Sequence, residues 1–383
     1  MGTERARVRR RRLRLAAGAL AAFAVGAAIG ARGSDEPPAP APRTAEPTPA
    51  AAATPPPEPV DRLSLPQQVG RMVILRFAGT APPGYVQEAL RRRRVAGVIL
   101  FADNVVDEPQ VRALTDGLRE ASGDLEPLVC VDQEGGDVRI LPWAPPEQSA
   151  PGQQADGTVR EDAAAAGRAL HAAGVNVTLA PVADLPSVDG SALAGRAFTS
   201  DPDAATAAVA ESIAGWQEAG VATTVKHFPG LGGATVNTDD GPAAVDRTRE
   251  QLDDDLAPFV RAVEAGTPVV MASHATYPAL DPDHIASQSP AVIDGLLRDE
   301  LGYDGVVMTD SLEAAAVQAV ADVEEAAIAS AEAGVDLILT TGRGSYRRVF
   351  RALLARARHD EAFRRRVRAS AARVLAAQSS LDG

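Results

Sequence analysis

The residues Gly305-Val306-Val307-Met308-Thr309-Asp310, then the Ala/Glu-rich stretch Val323 to Ala333, then Val335-Asp336-Leu337-Ile338-Leu339-Thr340 spell a strand, a helix and a second strand. Both apolar runs are short, rich in β-branched residues and mostly continuous rather than alternating, as expected of strands buried on both faces. A helix between two such strands returns the chain so that they run parallel. Read outward, the unit recurs. The strand candidates are Arg71 to Phe77, Val95 to Phe101, Leu128 to Asp132, Val175 to Pro181, Ala222 to His227, Val269 to His274, Gly305 to Asp310 and Val335 to Thr340. Helical stretches between them include Pro109 to Ser122, Ala163 to Ala173, Ala204 to Ala219, Leu252 to Ala265 and Ala291 to Leu301. Eight such units in about 280 residues match a closed barrel better than an open sheet of roughly five to seven strands. The predicted fold is α/β, a single (β/α)8 TIM-type barrel domain over residues 61–383. The Arg/Ala-rich residues after Thr341 supply one or two closing helices and leave no room for a second domain.

Run after run ends in polar residues: Asp132-Gln133-Glu134, Asp184, Lys226-His227, Ser273-His274 and Asp310-Ser311. In such a barrel the C-terminal strand ends converge on one rim, where active sites are built. Purely structural polar residues would scatter over both ends, so this bias predicts a site in a polar, anionic or hydroxyl-rich pocket.

The chain has 383 residues, 45% of them hydrophobic, and a formal net charge of -13. Residues 1–60 hold nine Arg against five acids, so the remainder is more acidic still, which argues against nucleic acid as a partner. Cys130, the only cysteine, excludes an internal disulfide and a cysteine metal cluster, and its apolar neighbours predict a plain buried thiol. Lys226 is the only lysine among 38 basic residues. A composition that otherwise uses Arg implies that this site needs a compact ammonium rather than a planar fork.

Seven Arg between Arg5 and Arg14 precede an apolar run from Leu15 to Ala31. This is a basic region followed by a hydrophobic one, so residues 1–33 read as an export segment outside the fold. A cleaved signal and an uncleaved membrane anchor both fit its length. The basic cluster places the N-terminus inside and the body outside, either extracellular or tethered to the outer face of the cytoplasmic membrane. Residues 34–60, rich in Pro and Ala, read as an extended linker.

Four strings occur in order: Val131-Asp132-Gln133-Glu134-Gly135-Gly136, Gly195-Arg196-Ala197-Phe198, Lys226-His227-Phe228-Pro229-Gly230, and Asp304-Gly305-Val306-Val307-Met308-Thr309-Asp310-Ser311-Leu312. Together they resemble the bacterial β-N-acetylglucosaminidases of glycoside hydrolase family 3, over roughly Leu63 to Thr341. The resemblance implies retaining hydrolysis of a terminal β-linked N-acetylglucosamine, with Asp310 attacking the anomeric carbon. A carboxylate beneath the sugar can form a glycosyl-enzyme and stabilise oxocarbenium charge. It also implies that Asp132, Arg196, Lys226 and His227 bind the sugar, with Arg139 and His274 as further candidates. The partner implied is a carbohydrate, with peptidoglycan fragments as the expected source. No cofactor or metal is called for.

The family's Lys-His-Phe-Pro-Gly string continues as His-Gly, four variable residues and Asp-Ser-His, whose last His is the acid/base. Here Leu231, Asn237 and Asp239 stand at those His, Asp and His positions. The dyad is absent. Either Asp239, or Asp240 beside it, has taken over proton transfer, or the fold binds sugar and turns it over poorly. An aspartate with an ordinary pKa of about 3.9 is ionised at neutral pH, so the first reading requires a raised pKa. A Gly232-Gly233 loop that closes over the substrate is one way to achieve it. Replacing an imidazole by a carboxylate also disfavours phosphate as acceptor, so water is expected. Asp137 stands where the family has Arg, and Arg139 one place before its expected position, which keeps a β-glucosidase-like substrate open.

Overall fold

The computed structural model describes residues 58–381. The expected export segment and the linker up to residue 57 lie outside the described residues.

Eight parallel strands close into a barrel in sequence order: β1 (Val73–Arg76), β2 (Gly97–Leu100), β3 (Leu128–Val131), β4 (Val177–Thr178), β5 (Ala222–Phe228), β6 (Val269–Ala272), β7 (Val306–Ser311) and β8 (Leu337–Thr340). Closure is made by β1 against β8, with Val73 opposite Ile338 and Leu75 opposite Thr340. All eight expected strands are present, most of them shorter than their apolar runs. β4 shrinks most. Pro181 brings no N–H to a ladder, and past Thr178 the strand keeps only scattered bonds to its neighbours, from Leu179 N to the Val131 carbonyl and from Thr224 N and Lys226 N to the carbonyls of Ala180 and Pro181.

Each turn of the barrel adds an outer helix: α1 (Gly84–Arg91), α2 (Glu108–Ser122), α3 (Val159–Ala172), α4 (Pro202–Glu218), α5 (Arg249–Glu264), α6 (Ala291–Glu300), α7 (Val323–Ala333) and α8 (Ser345–His359). A closing helix, α9 (Glu361–Ser379), follows. Capping side chains start several of them. Asp107 accepts from Gln110 N, Asp201 from Ala204 N, Thr248 from Gln251 N and Asp360 from Phe363 N. Such a cap stabilises its helix by about 1 kcal/mol. The sixth segment, expected as an ordinary helix, winds with i→i+5 hydrogen bonds instead.

Because side chains alternate across a strand, the strands feed two layers. Ile74, Ile99, Cys130, Leu179, Met271, Met308 and Leu339 fill the barrel, while Val73, Val98, Val129, Val270 and Val307 face the helices. Cys130 is fully buried, and burial pushes its thiol far above its ordinary pKa, so it stays protonated. Val374 and Ala377 of α9, with Leu381, cover the N-terminal end of the barrel. Arg298 and Arg373 hold the buried Asp336 there at 2.5 and 3.0 Å. The C-terminal rim is the end left open. Among the described residues no helix is long and apolar enough to cross a membrane.

Candidate active site

The open rim holds a cavity of about 370 Å3, lined by Asp132, Lys226, Asp239, Asp310 and Glu313 above a floor of Ile99, Phe101, Leu179, Met271 and Leu339. Its size falls in the range of small-molecule sites.

One wall is an ionic cluster. β3 delivers Asp132, after which a two-stranded hairpin (Gln133–Gly135 against Val138–Arg139) carries Glu134. Gln133 turns away and binds the backbone of Leu141, Ala144 and Pro145, so it shapes the excursion rather than the cavity. The Lys226 ammonium lies 2.6 Å from both Asp132 Oδ1 and Glu134 Oε1. Arg196 closes a two-pronged contact on Glu134 at 2.9 and 2.7 Å. Burial alone would raise the Glu134 pKa, but the Lys226 ammonium and then Arg196 bring it down to about 2. Burial likewise works against the Lys226 charge, and Asp132 and Glu134 overcome it and raise the ammonium pKa. Glu134, Lys226 and Arg196 are therefore ionised at neutral pH. Asp132 keeps 23% of its side chain exposed while Glu134 keeps 4%, so the first can meet a ligand and the second positions the cations.

The opposite wall carries the nucleophile candidate. β7 ends at Asp310 and Ser311, and Asp310 Oδ1 accepts the Ser311 N–H at 2.7 Å. Burial would raise its pKa, but the electrostatic influence of His227, then of His274 and Lys226, together with the Ser311 N–H, holds the carboxyl below its ordinary value. With 22% of its side chain exposed, Asp310 is reachable from the cavity.

Asp184, fully buried just after β4, holds the turn that follows β5. It accepts from the N–H groups of His227 and Leu231, the latter at 2.6 Å, and binds His227 Nδ1 at 2.7 Å. An ionised carboxylate only accepts, so Nδ1 carries the proton and Nε2 is left toward Asp310, 3.9 Å from its Oδ2. Tyr277 donates to the Gly230 carbonyl at 3.0 Å and braces the same turn.

The chain then forms the loop that replaces the family's acid/base segment. Gly232 is packed so closely that a Cβ there would stand 1.7 Å from the Leu185 carbonyl oxygen. Its own carbonyl accepts from Ser187 N at 3.3 Å and from Ser191 Oγ at 2.8 Å. Gly232, in the loop expected to close over the substrate, thus serves close packing against Leu185. Further on, the carbonyls of Thr238 and Asp239 accept from Ala316 N and Ala315 N. These anchors bring Asp239 to the cavity mouth, where it is still solvent-exposed. Lost hydration, then the Asp310 charge, raise its pKa.

The remaining candidates lie differently. His274 is fully buried, with Nε2 3.1 Å from the Ser311 carbonyl and Nδ1 2.7 Å from Ser287 Oγ. The carbonyl needs a donor, so Nε2 bears the proton and Nδ1 accepts from the serine, a neutral form favoured by burial. His274 therefore supports the nucleophile strand from below. Arg139 sits on the hairpin beyond Glu134, half-buried and outside the cavity lining. Three residues not singled out from sequence prove central: Glu134, Asp184 and Glu313. Glu313 accepts from Thr341 N at 2.8 Å and leaves its second oxygen buried without a partner. All three stood inside or beside strings or strand ends that the sequence had marked. Among the described residues no group of His, Cys, Asp and Glu is placed to hold a metal.

The family model for the glycosyl hydrolase family 3 N terminal domain matches residues 64–377. A beta-hexosaminidase of Stenotrophomonas maltophilia is 35% identical over 282 residues, covering 70% of this chain and 82% of the relative. A protein of Arthroderma benhamiae described as an uncharacterized secreted glycosyl hydrolase is 33% identical over 300 residues, covering 75% of this chain and 85% of the relative. The solved glycoside hydrolase family 3 beta-N-acetylglucosaminidase from Paenibacillus sp. str. FPU-7 superposes with a TM-score of 0.79 at 35% identity. That match covers 84% of this chain and 64% of the Paenibacillus chain, so this chain spans less than two thirds of that protein's length.

Proposed function

The chain belongs to glycosyl hydrolase family 3 and is a glycosyl hydrolase of the β-N-acetylhexosaminidase-like type, and from that premise we propose a retaining mechanism on terminal β-linked N-acetylglucosamine. Asp310 attacks the anomeric carbon while Asp239 protonates the departing glycosidic oxygen. In the second half Asp239 deprotonates water, which displaces Asp310 and restores both groups. The observation that carries this reading is the opposed pair of shifts in one cavity. Asp310 is held below its ordinary pKa and Asp239 above it, which is how two like groups divide the roles of nucleophile and acid. Asp132 and Lys226 offer charged hydrogen-bond partners for ring hydroxyls, about twice as strong as neutral ones. Arg196 and His227 complete the wall that receives the sugar.

Cell-wall glycans, peptidoglycan fragments above all, are the proposed source of substrate, with the body exported and water as acceptor. The basic and apolar leader and the secreted fungal relative support export. The barrel over 61–383 acts as a single catalytic domain in this reading.

The test is a panel of chromogenic β-glycosides with wild type, Asp310→Asn and Asp239→Asn. Expected is retention of configuration on the N-acetylglucosaminide and loss of turnover in Asp310→Asn. In Asp239→Asn, an activated leaving group or added azide should restore the rate. Unchanged rates in Asp239→Asn would remove it from the mechanism. Sugar binding by calorimetry with no turnover of any glycoside would identify a binding protein on a glycosidase fold. Preference for the glucoside would move the substrate to the β-glucosidase type.

A further inference from the structure

Outside the catalytic cavity, a groove of about 510 Å3 runs between α1 and α8. Tyr85, Arg94, Tyr346, Arg347, Phe350 and Arg351 line it. Tyr346 and Phe350, like Arg347 and Arg351, stand one turn apart, so α8 turns an aromatic and cationic face toward α1. The Tyr85 and Tyr346 rings stack, with centroids 6.2 Å apart and planes inclined by 18°. The Arg347 guanidinium lies 5.5 and 5.4 Å from those two centroids, and its Nε donates to Tyr346 Oη at 2.8 Å. Arg94 stands 5.9 Å from the Phe350 centroid.

Charge adds to the character of this groove. Elsewhere on α8, Arg348 pairs with Glu324 and Arg356 with Glu332. No acidic side chain lies within ion-pair distance of Arg94, Arg347 or Arg351 among the described residues. The one acid in the lining, Glu88, is already bound by Arg91 and Arg92. An acidic protein has thus left three guanidiniums uncompensated along one groove, two of them, Arg94 and Arg347, set against aromatic rings. Position adds to this. β1 and β8 are neighbours in the barrel, and Tyr85 and Tyr346 are each the second residue of the helix that follows, so that end of the groove lies toward the catalytic rim, while Arg94, just before β2, lies toward the other end. Arg76, the last residue of β1, lies 4.8 Å from the centroid of Phe101, which lines the catalytic cavity.

We propose that this groove binds an anionic glycan, a sugar chain bearing carboxylate or phosphate groups, beside the catalytic cavity. Tyr85, 39% exposed, offers a ring face to the apolar face of a sugar. Arg347, Arg351 and Arg94 take the acidic substituents through planar forks that match carboxylate and phosphate. The inference goes beyond the catalytic reading, and its test reads binding, so either can fail alone.

Calorimetry on the full chain at low salt would compare an oligogalacturonate, a phosphorylated oligomannoside, a neutral chito-oligosaccharide and poly-glutamate. The expected result is binding of at least one acidic oligosaccharide tenfold or more tighter than the neutral one, with the two acidic probes separating carboxylate from phosphate recognition. Arg347→Gln/Arg351→Gln should lose at least tenfold of that affinity, and Tyr85→Ala should weaken it separately. Both variants should keep wild-type thermal unfolding and wild-type turnover of a small chromogenic glycoside. Equal affinity for neutral and acidic oligosaccharides, no binding of either acidic sugar, or unchanged affinity in the double variant would overturn the proposal. Poly-glutamate binding as tightly as the acidic sugars would overturn its glycan part.

Discussion

His227 bridges two carboxylates of opposite character: its Nδ1 is 2.7 Å from the fully buried Asp184, and its Nε2 is 3.9 Å from the accessible Asp310. Asp184 fixes the tautomer and ring orientation, and through them the potential that holds Asp310 ionised. Asp184→Asn keeps the shape but removes the charge and gives one acceptor oxygen to three N–H groups. A lost charged hydrogen bond is worth about 1.5–3 kcal/mol. The rate constant kcat/KM should therefore fall roughly tenfold to a hundredfold by the relation of 1.4 kcal/mol per decade. The acid limb of the pH profile should move upward as Asp310 loses support. A lower rate with an unmoved acid limb would leave Asp184 a purely structural role.

Lys226 neutralises Asp132 and Glu134 inside a nearly dry wall. Lys226→Met would leave two carboxylates facing each other with Arg196 alone to balance them. Breaking a buried pair in this way costs about 3–5 kcal/mol, which denaturant unfolding would register. Lys226→Arg should rescue it only in part, because the larger planar head must fit where a compact ammonium is almost wholly buried between both carboxylates. Glu134 also predicts a pH dependence. Its folded pKa is depressed to about 2, so the stability it contributes is present above about 4.5 and is lost as pH falls toward 2. The loss is on the order of 3 kcal/mol, and it should vanish from the acid unfolding curve of Glu134→Gln.

Asp239 and Asp240 can be told apart by charge. If Asp239 is the acid, turnover requires it protonated and Asp310 ionised, so the rate declines at high pH as Asp239 titrates and at low pH as Asp310 does. The neighbouring Asp240 charge helps raise the Asp239 pKa. Asp240→Asn should therefore shift the alkaline limb of the kcat/KM profile to lower pH while leaving the acid limb in place. A lost alkaline limb in that variant would instead make Asp240 the acid.

The barrel was legible because its strands are continuous apolar runs that end in polar residues, a pattern set by burial on both faces and by the single open rim. The ends of the strands were less so, since around Pro181 regular pairing gives way to scattered bonds before the apolar pattern stops. Within the site, Asp310, Asp132 and Lys226 announced themselves through strings and strand ends. Glu134 stood in the same string without a legible role, because its meaning comes from Arg196, 62 residues further on. The groove between α1 and α8 was invisible for the same reason: Tyr85 and Tyr346 lie at opposite ends of the barrel sequence, and an Arg-rich helix reads as a solvated face until its partners are placed.

Gly232 carries a packing role that the sequence does not show. Two adjacent glycines before the acid candidate fit a loop that closes over the substrate, and a glycine used only as a hinge there would tolerate alanine at modest cost. In the structure a Cβ at 232 would stand 1.7 Å from the Leu185 carbonyl oxygen and 2.2 Å from its carbon, a collision with backbone that no rotamer relieves. Gly232→Ala must push the loop away from Leu185, loosening the Ser187 and Ser191 hydrogen bonds and carrying Asp239 with it. Overpacking of this kind costs about 1–3 kcal/mol. The kinetic signature should be selective. Turnover of substrates with poor leaving groups, which need the acid, should fall tenfold or more, while an activated aryl glycoside, which does not, should lose much less. Equal losses on both would mean that the loop positions the sugar rather than the proton donor, and wild-type rates on both would return Gly232 to the hinge.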